Sequence, residues 1–372
     1  MIYTVTFNPA VDCIIRVDQV ELGGLNQCQE QEVQYGGKGI NVSKVLGELG
    51  RESVAWGFLA GGIGHAMDEA LRAQGMNCNF VFLPEGNTRI NTKLISGGIE
   101  MDSRAHGQGA GVMVSAPQGM QGMQGAQGSQ GEAPGEPGAA AWAGMSAARE
   151  EAMHAGDTIE TAFDGAGPFA DKVSQLKLFS MLQATRDGDI IIVAGGVPGN
   201  VSDHAYARIL ESQMGKRVEV VVDAAGDLLL NALPHHPFLI KPNDEELAQI
   251  FDFDRFDHDA LVECARMLAQ LGARNVLVSR GANGSLLLDE TGVLHEAQAL
   301  PGQLVSSAGA GDSMVAGFVH GYLEAKEKEL AEDEVYPYAY AMAQACGSAT
   351  AFSSGLAKGA DVMQLFNRIQ RV

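Results

Sequence analysis

Residues 309–313, Gly-Ala-Gly-Asp-Ser, place an acidic side chain directly after two glycines at the start of an apolar helical pattern. Glycines let the backbone turn tightly and approach a ligand closely. The unpaired N–H groups of a helix start attract anions, and the helix dipole adds to that attraction. Asp312 would then remove a proton from an attacking hydroxyl while the N–H groups hold a phosphoryl group. The alternative from this pentapeptide alone is that Asp312 only favours the start of the helix.

A second glycine cluster, residues 36–41 (Gly-Gly-Lys-Gly-Ile-Asn), also precedes a helical pattern. Lys38 and Asn41 are three residues apart, so a helix places them on one face. The cluster has neither P-loop spacing nor the Gly-x-Gly-x-x-Gly spacing of dinucleotide sites. It therefore predicts a binding surface, and it argues against a nicotinamide-dependent dehydrogenase.

Residues 88–93 (Thr-Arg-Ile-Asn-Thr-Lys) have the alternation of a strand. In a strand, Arg89, Asn91 and Lys93 point to the same face. Such a cationic stripe suits an anionic ligand such as a sugar phosphate. A solvated strand face is the alternative interpretation.

A fourth polar group, residues 243–246 (Asn-Asp-Glu-Glu), follows a short apolar run. Asn243 and Glu246 carry the oxygen ligands that Mg²⁺ takes up near nucleotide phosphates. Alternatively, the acidic residues only stabilise the start of the next helix.

These groups are positioned by strands and helices that alternate along the second half of the chain. The predicted strands are 3–7, 190–193, 218–222, 238–240 and 276–278, and the clearest helices are 38–49, 205–210 and 261–271. Such alternation predicts a parallel sheet covered by helices on both faces. Ligands bind beyond the carboxyl ends of the strands in such sheets. Asp223, Lys241 and Ser279 are expected near that edge.

Composition excludes several classes of protein. The 372 residues include 25 basic and 46 acidic residues, for a net charge of -21, which argues against nucleic acid or an anionic membrane as partner. The 5 cysteines are an odd number without a Cys-x-x-Cys pair, so neither a disulfide framework nor a zinc site is expected. The sequence shows neither a signal peptide nor a membrane-spanning run, and a cytoplasmic location is expected.

Residues 96–158 interrupt the alternation with a segment rich in Gly, Gln, Ala and Met. Glycine recurs at every third position from 119 to 131, but proline is too scarce there for a collagen helix. Because this composition buries little apolar surface, a flexible, low-complexity insertion is predicted.

Three motifs in this order, at residues 6–12, 36–43 and 309–318, resemble the ribokinase-like (PfkB-type) sugar kinase family. The resemblance covers residues 4–93 and about 160–357. It implies a single domain over residues 1–372, an α/β/α three-layer sandwich with a mostly parallel central sheet and a small β-sheet lid. The implied lid segments are residues 12–35 and 88–164, approximately, with the insertion inside the lid and a homodimer formed through it.

The resemblance also implies an activity, which is phosphorylation of fructose 1-phosphate to fructose 1,6-bisphosphate with ATP and Mg²⁺. Asp312 is then the base, and the residues that line the anion hole are Gly309, Ala310 and Gly311. The implied sugar-hydroxyl ligands are Asp12, Gly37, Lys38 and Asn41, and the implied ligands of the substrate's phosphate are Arg89 and Lys93. The implied nucleotide contacts are Asn243, Ser279, Gly281, Gly284 and Gly311, and the residues implied near Mg²⁺ are Asn243 and Glu246.

The sequence departs from the family in one place that bears on the substrate. Residues 195–198 (Gly-Gly-Val-Pro) stand where the family often has Gly-Ser-x-Pro, so one hydroxyl near the sugar is missing. Kinases for tagatose 6-phosphate or fructose 6-phosphate are therefore the alternatives within the family. A sugar-phosphate sensor without catalysis is the alternative outside enzymes, although a sensor does not need Asp312.

Overall fold

The computed structural model describes residues 1–97, 99–100 and 159–371. The chain forms two compact units. The first consists of Met1–Asp12, Val33–Asn91 and Asp164–Val372, and the second of Cys13–Glu32 and Thr92–Phe163. The predicted insertion at residues 96–158 lies almost entirely outside the described residues, and its flexibility stays a prediction.

The described strands and helices alternate along the second half of the chain as predicted. The strands are β1 (Ile2–Thr6), β2 (Ala10–Val17), β3 (Val20–Glu21), β4 (Glu30–Gly36), β5 (Ser53–Ala60), β6 (Asn77–Cys78), β7 (Val81–Leu83), β8 (Arg89–Ser96), β9 (Ile99–Glu100), β10 (Ile159–Phe163), β11 (Ile190–Ala194), β12 (Glu219–Asp223), β13 (Leu239–Ile240), β14 (Asn275–Ser279), β15 (Ser285–Leu288) and β16 (Leu294–Ala297). The helices are α1 (Lys38–Glu48), α2 (Gly61–Ala73), α3 (Lys172–Gln183), α4 (Ala205–Ser212), α5 (Gly226–Ala232), α6 (Asp244–Phe251), α7 (His258–Gln270), α8 (Ala310–Glu327), α9 (Glu332–Ala351) and α10 (Gly359–Ile369).

The first unit contains a ten-stranded sheet in the order β16-β15-β14-β13-β12-β11-β1-β5-β6, with β7 paired to β5. The strands from β14 to β6 pair in parallel, whereas β15 and β16 are antiparallel additions at one edge. All five predicted strands are present, and the mostly parallel sheet is confirmed.

Alternate residues of the central strands enter two separate cores, because successive side chains of a strand point to opposite faces. Ile191 and Val193 of β11 pack into one core, together with α3, α4 and α7. Ile190 and Ile192 pack into the other, together with α1, α8, α9 and α10. Helices therefore cover both faces, and the predicted three-layer arrangement is confirmed.

The helices α1 and α8 both begin directly after a glycine with positive φ. Gly37 has φ 132° and Gly309 has φ 77°. L-residues rarely adopt these conformations, and a Cβ on Gly37 would also lie 2.8 Å from a Thr6 methyl carbon. The two glycine clusters therefore allow each helix to start at the carboxyl end of the sheet.

A second sheet, with the order β10-β8-β2-β4, consists of strands that lie partly or wholly in the second unit. Strands β8 and β10 are antiparallel, with Thr92 opposite Phe163. The expected pairing of the strand that begins at Arg89 with a strand near Glu160 is thus present. Within the described part of the chain, every helix falls short of the length or apolarity that a membrane crossing requires.

Candidate active site

Asp312 lies in the first turn of α8 and is 7% exposed. The Nδ2 group of Asn41, on α1, donates a hydrogen bond of 2.8 Å to its Oδ2 atom. Sequence analysis predicted both residues separately, and the structure brings them into direct contact. The amide leaves Asp312 with a fixed orientation at the carboxyl end of the sheet.

The surroundings of Asp312 raise its pKa to about 6. Burial contributes most, and the negative charge of Asp223 adds to it. The hydrogen bond from Asn41 and the positive charges of Lys38 and Lys241 act in the opposite direction. A carboxylate that titrates near neutral pH is suited to take up a proton from a hydroxyl.

Asp223, the last residue of β12, lies between two lysines. The Nζ atoms of Lys38 and Lys241 are each 3.5 Å from its Oδ1 atom, and the Asp223 side chain is 1% exposed. The pKa of Lys38 is raised, chiefly by Asp223, although burial opposes that change. The charge of Asp223 thus favours the charged form of Lys38, and both lysines lie close enough to lower the pKa of Asp312.

Of the two lysines beside Asp223, Lys241 is the one that lies next to Gly311 at the start of α8. A Cβ placed on Gly311 would lie 3.0 Å from its Nζ atom, and the side chain is 6% exposed. The ammonium group therefore lies beside the first N–H groups of the helix, which have no partner within the helix. Together they give the start of α8 a positive environment of the kind that attracts anions.

Asp12 lies beside the first glycine cluster. A Cβ on Gly36 would be 3.2 Å from Asp12 Oδ2 and 3.5 Å from Asn41 Oδ1, so the two side chains are neighbours across this glycine. Asn91 Nδ2 donates a hydrogen bond of 2.8 Å to Asp12 Oδ1. Carboxylate and amide groups of this kind bind the hydroxyls of a sugar.

Arg89 and Lys93 have different surroundings, although both were predicted to bind phosphate. Arg89 is half-buried in the first unit, and its Nε group donates to the backbone oxygen of Asn8 at 3.2 Å. Lys93 belongs to the second unit, where its Nζ lies 3.2 Å from Glu160 Oε1. Because Lys93 has this acidic neighbour, Arg89 is the stronger candidate for a phosphate ligand.

Asn243 and Glu246 form a capping box at the start of α6. The N–H group of Glu246 donates to Asn243 Oδ1 at 2.6 Å, and the N–H group of Asn243 donates to Glu246 Oε2 at 2.9 Å. The helix-start interpretation is therefore confirmed, and the interpretation of these residues as Mg²⁺ ligands stays a prediction. Glu246 still raises the pKa of Lys38 through its charge, which places it near the same site.

The nucleotide segment predicted at residues 279–284 follows β14. Ser279 pairs with Asn243 in a parallel bridge, so these two loops are neighbours at the carboxyl end of the sheet. Gly281 and Gly284 have positive φ values of 52° and 84°, which shape the tight turn between β14 and β15.

Sequence analysis placed Asp223 and Lys241 at the strand ends but gave neither a role in the site. Their position after buried strands was the available signal. The sequence could not predict that Lys241 lies beside Gly311, because the two residues are in distant parts of the chain.

The chain is similar to known proteins over its whole length. A family model described as pfkB family carbohydrate kinase matches residues 5–113 and 151–362. The 1-phosphofructokinase of Bacillus subtilis (strain 168) is 31% identical over 370 residues, which cover 100% of this chain and 99% of that protein. The D-tagatose-1-phosphate kinase of Bacillus licheniformis is 28% identical over 371 residues, which cover 100% and 99%, respectively.

Solved structures agree on the fold. Phosphofructokinase-2 from Escherichia coli, in complex with fructose-6-phosphate, superposes with a TM-score of 0.73 at 20% identity and covers 100% of this chain and 99% of that one. Ribokinase from Arabidopsis thaliana, complexed with ribose and ATP, superposes with a TM-score of 0.63 at 15% identity and covers 98% of both chains. The fold is therefore the ribokinase-like α/β fold.

Proposed function

Because the chain belongs to the pfkB family of carbohydrate kinases, we propose that it phosphorylates fructose 1-phosphate. The γ-phosphoryl group of ATP is transferred to the free primary hydroxyl, and the product is fructose 1,6-bisphosphate. The observation that carries this proposal is the buried Asp312 at the start of α8, beside Asn41 and the ammonium group of Lys241.

In the proposed reaction Asp312 accepts the proton of the attacking hydroxyl. The N–H groups that follow Gly309 and the ammonium group of Lys241 stabilise the negative charge on the phosphoryl group during transfer. Asp12, Gly37, Lys38 and Asn41 bind hydroxyls of the sugar, and Arg89 binds its existing phosphate.

The proposed Mg²⁺ ion fits this site only as an ion held mostly by phosphate oxygens and water. Within the described ranges, no cluster of three or more His, Cys, Asp or Glu side chains has the arrangement of a metal site. Mg²⁺ keeps several waters and needs only one or two carboxylates, so Glu246 and Asn243 would suffice, partly through water. Its chemistry would be to neutralise charge on the phosphates of ATP.

Turnover measured with a panel of sugar phosphates tests the proposal. ADP release is compared for fructose 1-phosphate, tagatose 1-phosphate, fructose 6-phosphate and tagatose 6-phosphate. We expect the highest kcat/KM with fructose 1-phosphate. Preference for tagatose 1-phosphate, which the 28% identical relative makes the second candidate, would keep the mechanism and change the sugar. Binding without turnover of any sugar phosphate would favour a sensor and contradict the proposal.

The pH dependence of kcat/KM should follow the protonation of Asp312 in the free enzyme. Its pKa is raised to about 6, so kcat/KM should fall as the pH drops below that value, when the base becomes protonated. The Asn41→Ala variant loses the hydrogen bond that favours the ionised form, so the acid limb of its kcat/KM profile should lie at higher pH. Superimposable pH profiles of kcat/KM for the variant and the wild type would contradict the assignment of Asp312 as base.

The Arg89→Met variant should raise KM for fructose 1-phosphate by about 10–100-fold and change kcat less, because a charged hydrogen bond to the substrate is lost. The KM for free fructose, which has no phosphate, should change much less. The matched control is Lys93→Met, for which we expect a smaller increase because Lys93 is paired with Glu160. Equal effects of the two substitutions would contradict the distinction between them.

The homodimer through the predicted lid segments and the cytoplasmic location remain proposals for this chain. Phosphofructokinase-2 from Escherichia coli has been solved in a tetrameric inhibited form. Sedimentation velocity of the purified chain would measure its assembly directly.

A further inference from the structure

The side-chain amide of Asn91 bridges two parts of the first unit. Its Nδ2 group donates to Asp12 Oδ1 at 2.8 Å, and its Oδ1 atom accepts from the N–H group of Gly165 at 3.2 Å. Each end of the amide thus has a partner of the matching kind, so the opposite orientation would place an oxygen against the carboxylate. The orientation of Asn91 is therefore fixed from both sides.

Gly165 is itself held in place by close packing. A Cβ at this position would lie 2.4 Å from the backbone oxygen of Ile90. Two residues further on, a Cβ on Gly167 would lie 2.1 Å from Asn8 Oδ1. Residues 164–168, here called the strap, therefore lie directly against Asn8 and Ile90, and the two glycines make this possible.

The bridge joins three separate passages of the chain. Asp12 and Asn91 are the last residues of the first unit before the chain enters the second, and the chain returns at Asp164, next to Gly165. All the atoms of the bridge belong to the first unit. Its hydrogen bonds hold the three passages together at the carboxylate that is proposed to bind the sugar.

We infer that Asn91, held by Gly165, is a positioning residue that presents the carboxylate of Asp12 to the sugar. The amide donates to Oδ1 and so fixes the plane of the carboxylate, whose Oδ2 atom lies beside Gly36 and Asn41. In this orientation the carboxylate accepts from a sugar hydroxyl. This inference rests on the proposed function, in which Asp12 binds sugar hydroxyls. It extends that function to a residue and a strap that take no part in the chemistry.

The Asn91→Asp variant gives a pH-dependent readout. At low pH the two adjacent carboxyl groups share a proton, which restores a donor to Asp12, whereas at higher pH the donor is lost and the two charges repel. Lys44 is the cation on α1 that senses Asp12: burial lowers the pKa of Lys44, and Asp12 raises it in part.

The measurement is calorimetric titration of fructose 1-phosphate into the full chain without nucleotide, from about pH 5.5 to about pH 8.5. We expect the variant and the wild type to have similar Kd values at the acid end, so that their ratio is close to one. At the alkaline end the Kd of the variant should be about tenfold higher or more. Protonation of the substrate's own phosphate cancels in this ratio. The Kd for ATP should not change, and Asn77→Asp, at the exposed residue of β6, is the control for the added charge.

The Gly165→Ala variant tests the bridge at its Gly165 end. It also provides a test if Asn91→Asp fails to fold. Its Cβ must displace the strap, so sugar-phosphate binding should weaken about tenfold at every pH. The inference would be overturned if the folded variants bind the sugar phosphate with Kd values within about twofold of the wild type at every pH. If the wild type turns over another sugar phosphate instead, the proposed substrate is wrong, and the same ratios measured with that sugar still decide the role of Asn91.

Discussion

The Asp312→Asn variant is expected to lose turnover by about 10²–10⁴-fold while it still binds ATP and the sugar phosphate. Asparagine has nearly the same size and can still accept the hydrogen bond from Asn41, but its amide cannot take a proton from the hydroxyl. Binding should persist because the helix start and the two lysines are unchanged. The measurement is kcat from ADP release, together with the Kd values of both substrates.

The control for this experiment is Asp361→Asn, the same substitution at an exposed position in the first turn of α10. It should leave kcat close to the wild-type value. Near wild-type turnover of Asp312→Asn would contradict the base assignment. Loss of binding along with turnover would show that Asp312 holds the site together rather than accepting the proton.

The Lys241→Met variant is expected to have the second largest effect, a fall in kcat of about 10²–10³-fold. Methionine has a similar length but removes the positive charge next to Gly311, where charge on the phosphoryl group must be stabilised. Since that charge develops in the transition state, KM should change less than kcat. The control is Lys172→Met at the exposed start of α3, which should leave both constants nearly unchanged.

Loss of stability is the competing explanation for the effect of Lys241→Met. The substitution leaves the buried Asp223 with Lys38 as its remaining lysine neighbour, so the loss of stability should be smaller than the roughly 3–5 kcal/mol of a fully unpaired buried charge. The double variant Asp223→Asn/Lys241→Met removes the buried negative charge as well. We expect its Tm to recover in part while kcat stays low, and a parallel recovery of kcat would contradict the catalytic role of Lys241.

Local patterns in the sequence predicted several of the strands and helices and placed Asp312 at the start of a helix. The apolar runs predicted β11, β12 and β14 because the buried strands of a parallel sheet are continuously apolar. The glycines before α1 and α8 predicted the two helix starts, since positive φ is a property of the residue itself. Neighbours along the chain suffice for both predictions.

The roles of individual site residues could not be predicted from local sequence. They were either taken from the resemblance or left with two open interpretations. Asp12 and Arg89 were assigned by resemblance to a family, and their roles stay proposals. Asn243 and Glu246 had two open interpretations from the residues, and the capping box shows where their side chains bond.

Only the tertiary structure decided which side chains meet. Asn41 and Asp312 are 271 residues apart and form a hydrogen bond, and Asp223 lies between Lys38 and Lys241. The order of the strands in the sheet differs from their order in the chain, with β1 between β11 and β5. Because the strand order sets which loops adjoin at the carboxyl edge, these contacts follow from the packing of the whole sheet and not from the spacing of residues in the sequence.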